Sequence, residues 1–187
     1  MITKTAIVAY YEKTWRLKAA TNSKLKFLNV QATGLTGRPH PVLSGILTTQ
    51  EVTRSRVYVK ILAGDYPCYS YLASDRGQDA SCRLCKEDMV HLLTLCRGTA
   101  DTRARLTPVL LNTISQHFPT NGILDKPNHS QLTQLILDPT SLNLPMTIRI
   151  PPNHPELSQV LSMCRILCLA IHKDRTNQLK NFVLNDF

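Results

Sequence analysis

Residues 81–98 read SCRLCKEDMVHLLTLCRG and hold three cysteines and one histidine. Cys82 and Cys85 are separated by two residues; five residues then precede His91, and four separate His91 from Cys96. Thiolates and imidazoles are the ligands of a tetrahedral zinc site. A Cys-x2-Cys pair in a tight turn directs both sulfurs at one ion. The polar run KEDM then reverses the chain, and HLLTLC supplies the two remaining ligands. The competing reading is four buried side chains on a helix, since free cysteine often packs as a small apolar residue. A cysteine pair in a polar loop has no apolar stripe to belong to, so the spacing is read as zinc held by Cys82, Cys85, His91 and Cys96. Four protein ligands leave no open position for a reacting water, which makes such a site structural.

That reading constrains the local backbone. At about 100° per residue, positions five apart on an α-helix differ by about 140°. His91 and Cys96 therefore cannot face one ion from a regular helix, and the chain must leave helical geometry near Leu95. Gly98 is a suitable place for that helix to end.

The elements that would carry the site follow from periodicity and punctuation. Residues 1–20 read as an amphipathic helix. Residues 33–45 hold three Gly and two Pro and read as a loop. Thr48 and Glu51 fit a capping box that opens a helix whose Val52, Val59, Leu62 and Ala63 would face a core, with Gly64 as its stop. Residues 99–118 read as a helix with Leu106, Val109, Leu110, Ile114 and Phe118 on one side and a kink or restart at Pro108. A short helix capped by Asn128 or Ser130 ends before Pro139. MTIRI, within the proline-rich segment 139–155, reads as one short strand. A final helix from about Glu156 to Phe182 has Leu157, Val160, Leu161, Cys164, Leu167, Cys168 and Ile171 as its apolar stripe. Cys68, Cys164 and Cys168 are read as core residues. His40, His117, His129, His154 and His172 are read as surface or capping residues. The fold expected is mainly α, a helical domain with a small inserted CCHC zinc knuckle. Its parts are a basic helical region (1–80), the knuckle (81–98) and a helical C-terminal region (99–187).

The formal charge is +9, and residues 1–97 hold 14 of the 22 Lys/Arg against 7 of the 13 Asp/Glu. A basic half suggests a polyanionic partner, most simply nucleic acid. Arg54, Arg56 and Lys60 before the knuckle, and Arg76, Arg83, Lys86 and Arg97 around it, are the candidate phosphate contacts. Tyr66, Tyr69 and Tyr71 are the nearby candidates for base stacking. The first residues lack the pattern of a secretory signal, and no apolar run reaches the roughly 18 residues of a membrane span. An intracellular chain, nuclear or cytoplasmic, with reduced thiols is expected, which favours metal over disulfides. No Gly-rich phosphate loop, nucleophile elbow or H-E-x-x-H pattern is present, so no enzyme is expected.

The order of these segments is similar to the C-terminal region of non-LTR retrotransposon reverse transcriptases. The resemblance is carried by AIVAYYEKTWRLKAATNSKLKFLN, GRPHPVL, EVTRSRVYVKILAGDYPCYSYLASDRG, CRLCKEDMVHLLTLC and QLTQLILDP. It implies a helical region downstream of a polymerase, whose zinc knuckle helps bind RNA or target DNA. Under it, Cys82, Cys85, His91 and Cys96 match the knuckle ligands, Arg54, Arg56 and Lys60 the preceding basic helix, and Arg76 the loop arginine. The Cys85–His91 spacing is shorter than is usual in the family. The polymerase is absent from this sequence, so the chain resembles a detached tail.

The expected function is a non-catalytic, zinc-stabilised module that binds RNA or DNA. The alternative is a zinc-stapled interaction domain whose C-terminal stripe docks on a polymerase or another chain. An inert remnant of such an element is a third possibility.

Overall fold

A computed structural model of the chain describes residues 4–22, 27–28, 40–43, 48–63, 66, 88–117, 127–141, 144–146 and 148–185. Among the described residues the architecture is helical, with no strand. The elements are α1 (Lys4–Thr21), a 3-10 turn (Pro41–Leu43), α2 (Thr49–Leu62), a π turn (His91–Leu95), a second 3-10 turn (Arg97–Thr99), α3 (Ala100–His117), α4 (His129–Leu137) and α5 (Leu157–Asn185).

The long helix α5 is the spine: α2 and α3 both pack along it, and α4 packs against α2 and the π turn. The expected stripe of α5, from Leu157 through Ile171, is buried throughout, Cys164 and Cys168 included. Burial pushes the Cys164 thiol up to about 12 and the Cys168 thiol well above its usual range. These are inert core residues, and they cannot also be the docking stripe of the interaction-domain reading. Cys68 lies outside the described residues.

α2 meets the core with a different face from the one its valines suggest. Its buried residues are Glu51, Ser55, Tyr58, Ile61 and Leu62, while Val52 and Val59 remain 48% and 38% exposed. The cause is a buried arginine. Arg165 of α5 is fully buried and donates to Glu51 Oε2 at 3.1 Å and to the Val42 carbonyl at 2.9 Å. A buried guanidinium demands a counter-charge, and that demand rotates α2 until Glu51 faces inward. The capping box is accordingly half made. Thr48 Oγ1 accepts from the Glu51 N–H at 3.2 Å, but the Glu51 carboxylate is taken by Arg165, Arg54 and Ser162. The helix ends at Leu62; Gly64, the expected stop, lies outside the described residues.

α3 runs through Pro108 without a restart. Proline removes the partner of the Ala104 carbonyl, and Ala104 is exposed, so water can replace it. Leu110 and Ile114 are buried as expected, Leu106 is partly buried, and Val109 is exposed. Phe118 lies outside the described residues. α4 has a complete capping box between Asn128 and Gln131, and it ends before Pro139. Its last turn is buried, so its free carbonyls need partners: Tyr58 Oη donates to the Leu137 carbonyl, and the Asp138 N–H bonds the Gln134 carbonyl at 2.7 Å. Met146, Ile148, Arg149 and Ile150 of the segment read as a strand lie in turns and irregular backbone instead. Ile148 and Arg149 donate their N–H groups to the Pro145 carbonyl, and Ile150 bonds Pro139. A strand needs a ladder partner, and among the described residues there is none.

Candidate functional site

His91 and Cys96 are the two members of the zinc set within the described residues; Cys82 and Cys85 lie outside them, as do Arg76, Arg83, Lys86, Tyr69 and Tyr71. Between His91 and Cys96 the backbone forms a π turn, closed by the Cys96 N–H on the His91 carbonyl at 2.7 Å. An α-helix aligns residues four apart, because its bonds close on the fourth residue. Closing on the fifth widens the turn and brings the Cys96 backbone, in place of the Leu95 backbone, onto that of His91. Cys96 itself has left helical geometry, with φ −56° and ψ 124°. The chain thus departs from a regular helix in the stretch where two ligands five apart require it.

Local chemistry holds this turn in place. Asp88 Oδ1 accepts the His91 N–H at 2.6 Å, an N-cap contact that fixes the start. Leu92 and Leu93 anchor the turn in the core. At the far end, Arg103 donates to the Cys96 carbonyl and to Thr99 Oγ1, both at 2.5 Å. Gln178 of α5 donates to the Gly98 carbonyl. A Cβ on Gly98 would run into the Gln178 side-chain amide, and Gly98 does not occupy the left-handed region. Its role is close approach of α5, not helix termination. Sequence reading missed Asp88, Arg103 and Gln178. Only Asp88 left a signal, as a capping residue three before His91.

The imidazole is the informative group. Nε2 of His91 is buried and makes no hydrogen bond among the described residues. An orphaned polar atom of this kind is uncommon in a folded chain and asks for a partner. Cys96 is buried and not in a disulfide. An imidazole nitrogen and a cysteine sulfur at opposite ends of one widened turn are donors of the kind zinc accepts. Among the described residues no three potential ligands form a group.

The basic set divides. Arg56, Lys60 and Arg97 are exposed. Arg54 is drawn into an ion pair with Glu51 at 2.6 Å, which occupies its charge. Tyr66 is buried, and its hydroxyl is hydrogen-bonded to His172 at 2.9 Å, so it is no platform for bases. His172 is correspondingly not an isolated surface residue. His40 is buried as well; its Nε2 lies 3.7 Å from the Asp138 carboxylate, and its Nδ1 accepts from the Val42 N–H at 3.2 Å. His154 does cap, accepting the Glu156 N–H at 3.2 Å. Beside Arg56 and Lys60, the exposed Leu43, Val52 and Val59 line an open apolar groove of about 610 Å³.

Comparison with protein-family models, with curated proteins and with solved structures finds no match to this chain. No helix among the described residues is long and apolar enough to cross a membrane.

Proposed function

We propose that the chain is a non-catalytic, zinc-stabilised module that binds RNA or DNA through a basic surface, like the tail of a non-LTR retrotransposon reverse transcriptase. The observation that carries this reading is His91 Nε2, buried without a hydrogen bond among the described residues, at the start of a π turn that the Cys96 N–H closes. Cys82 and Cys85 complete the ligand set in sequence. A bound ion there contributes folding energy and no reactivity. The exposed cations Arg56, Lys60 and Arg97 face solvent beside this segment or on the preceding helix. With Arg76, Arg83 and Lys86 they would neutralise phosphates and release counterions.

Metal analysis of the purified chain tests the first half. One equivalent of zinc is expected, lost in Cys82→Ser and in His91→Asn; a metal-free wild type that is nonetheless folded ends the reading. A salt titration tests the second half. Affinity for RNA or duplex DNA should fall with salt at a log–log slope of about −0.7 to −0.9 per phosphate neutralised. An affinity that ignores salt would be incompatible with this mechanism.

One observation favours the second reading, an interaction domain. The apolar groove of Leu43, Val52 and Val59 lies beside Arg56 and Lys60, and an acidic amphipathic segment of a protein partner matches that chemistry. Val52→Ser with Val59→Ser separates the two readings, since it should leave nucleic-acid affinity unchanged and abolish docking of such a partner.

A further inference from the structure

The side of α2 turned away from the core mixes apolar and basic side chains. Val52, Ser55, Arg56, Val59 and Lys60 follow one another at three- and four-residue steps, so they share one side of the helix. With Leu43 of the first 3-10 turn they line the open groove of about 610 Å³. Its apolar walls are Leu43, Val52 and Val59, each more than a third exposed. Ser55, between the two valines in sequence, is buried and small, so no bulky side chain stands between them. No carboxylate is among the lining residues. The one acidic residue of α2, Glu51, is turned inward to Arg165. Arg56 and Lys60 are exposed, and neither makes an ion pair among the described residues.

Two kinds of ligand match different parts of this groove. A phosphate backbone satisfies Arg56 and Lys60 and leaves the three apolar walls in water. An amphipathic helix with acidic residues beside its apolar stripe covers both: its apolar side chains bury Leu43, Val52 and Val59, and its carboxylates meet the two cations. The dimensions agree. Val52 to Lys60 spans about 12 Å along the α2 axis, and Arg56 and Lys60 stand about 6 Å apart, which is the four-residue step of a partner helix as well. Such a helix, about 10 Å across with its side chains, would lie over the same two cations that the nucleic-acid reading assigns to phosphates. Its remaining carboxylates would repel a polyanion held nearby.

We propose that the groove takes an acidic amphipathic helix of a protein partner, and that this helix and nucleic acid exclude one another. Arg56 and Lys60 are common to both ligands; Leu43, Val52 and Val59 belong to the helix alone. The interaction-domain and nucleic-acid readings thus become two alternative states of one surface. The exclusion rests on the nucleic-acid reading above for the ligand that is displaced. By linkage, each ligand weakens the other to the same degree.

The experiment uses the full chain and two probes. One is a labelled, short unstructured RNA. The other is a designed peptide of about 18 residues, long enough to hold helical structure, with a leucine stripe flanked by glutamates. Fluorescence anisotropy of the RNA is followed as the peptide is added, and direct peptide binding is measured separately. The apparent Kd for RNA should rise in proportion to bound peptide. Val52→Ser with Val59→Ser, both at exposed positions, should leave RNA affinity unchanged and raise the peptide concentration needed for displacement about tenfold. Arg56→Ala with Lys60→Ala should weaken both ligands and shrink the log–log salt slope for RNA by about 1.4 to 1.8. A glutamate peptide of equal charge without leucines should displace far less. Peptide and RNA bound together without mutual loss overturn the exclusion, as does equal displacement by the glutamate peptide or undiminished displacement in the double-serine variant. A wild type that binds RNA and ignores the peptide overturns the helix as occupant and leaves the nucleic-acid function standing. A wild type that binds the peptide and no RNA overturns the exclusion and the nucleic-acid function together.

Discussion

Gly98 illustrates how a single residue can be legible in type and misleading in role. A glycine after an apolar helix suggests a left-handed stop, yet here it admits Gln178, whose amide donates to its carbonyl. Gly98→Ala should therefore destabilise by about 1 kcal/mol, by displacing Gln178 and breaking that hydrogen bond. In a Gln178→Ala background the same change should cost almost nothing. Equal effects in both backgrounds, measured by urea denaturation, would show that the Cβ does not meet Gln178. The cysteines divide at the same scale. Cys164 and Cys168 are fully buried, with thiols held far above neutral, so they should resist alkylation until the chain unfolds. Rapid native labelling at either position, read by mass spectrometry of peptides, would refute their burial. Their four-residue spacing in an apolar stripe made this visible in the sequence. The orphaned Nε2 of His91 left no such trace, because it depends on what surrounds the ring.

Between elements, one carboxylate decides how α2 lies on α5. Burial alone would raise the Glu51 carboxyl, but hydrogen bonds from Arg54, Arg165 and Ser162 outweigh it and bring it below its usual value of 4.5. A carboxyl lowered by folding stabilises the folded state above its unfolded value, and that contribution is lost as pH falls through the folded one. Wild-type stability should thus drop between about pH 5 and pH 3 more steeply than that of Glu51→Gln. Parallel Tm-against-pH curves would remove Glu51 from the account. At neutral pH Glu51→Gln should cost about 3 kcal/mol, since it leaves Arg165 buried without its counter-charge, whereas Arg165→Met should cost less. The helices themselves were readable from caps, prolines and periodicity: α4 with its Asn128 box, and α5 with its stripe. The face of α2 was not. Periodicity rewards Val52 and Val59 and has no means of knowing that a buried arginine more than a hundred residues later will turn Glu51 and Ser55 inward. The strand expected around Ile148 failed for a related reason, as β-pattern is half a statement without a partner to pair with.

Across the whole molecule, stability and charge are housed in different places. Among the described residues the core is built by α2, α3, α4, α5 and the π turn, and α1 contributes little to it: Tyr10 and Leu17 are 66% and 64% exposed, and of its described side chains Ala19 alone is buried. Apolar area left in water contributes nothing to folding, so the exposed Tyr10 and Leu17 do not hold α1 on the core. Yet it carries Lys13 and Lys18 on exposed positions, with Tyr10 and Tyr11 set edge to face beside them. Among the described residues, with Tyr58 and Tyr66 enclosed, Tyr10 and Tyr11 are the exposed tyrosines, and the proposed nucleic-acid function would use them for stacking. Removal of residues 1–22 should consequently shift Tm by no more than about 2 °C, the equivalent of under about 1 kcal/mol in a chain of this size. The same deletion should weaken RNA binding and reduce the log–log salt slope by about 1.4 to 1.8, the share of two neutralised phosphates. Tyr10→Ala with Tyr11→Ala should lower affinity while leaving that slope alone, because stacking releases no counterions. A Tm that falls by about 5 °C or more would make α1 a structural helix. An unchanged slope would confine the polyanion surface to α2 and the knuckle.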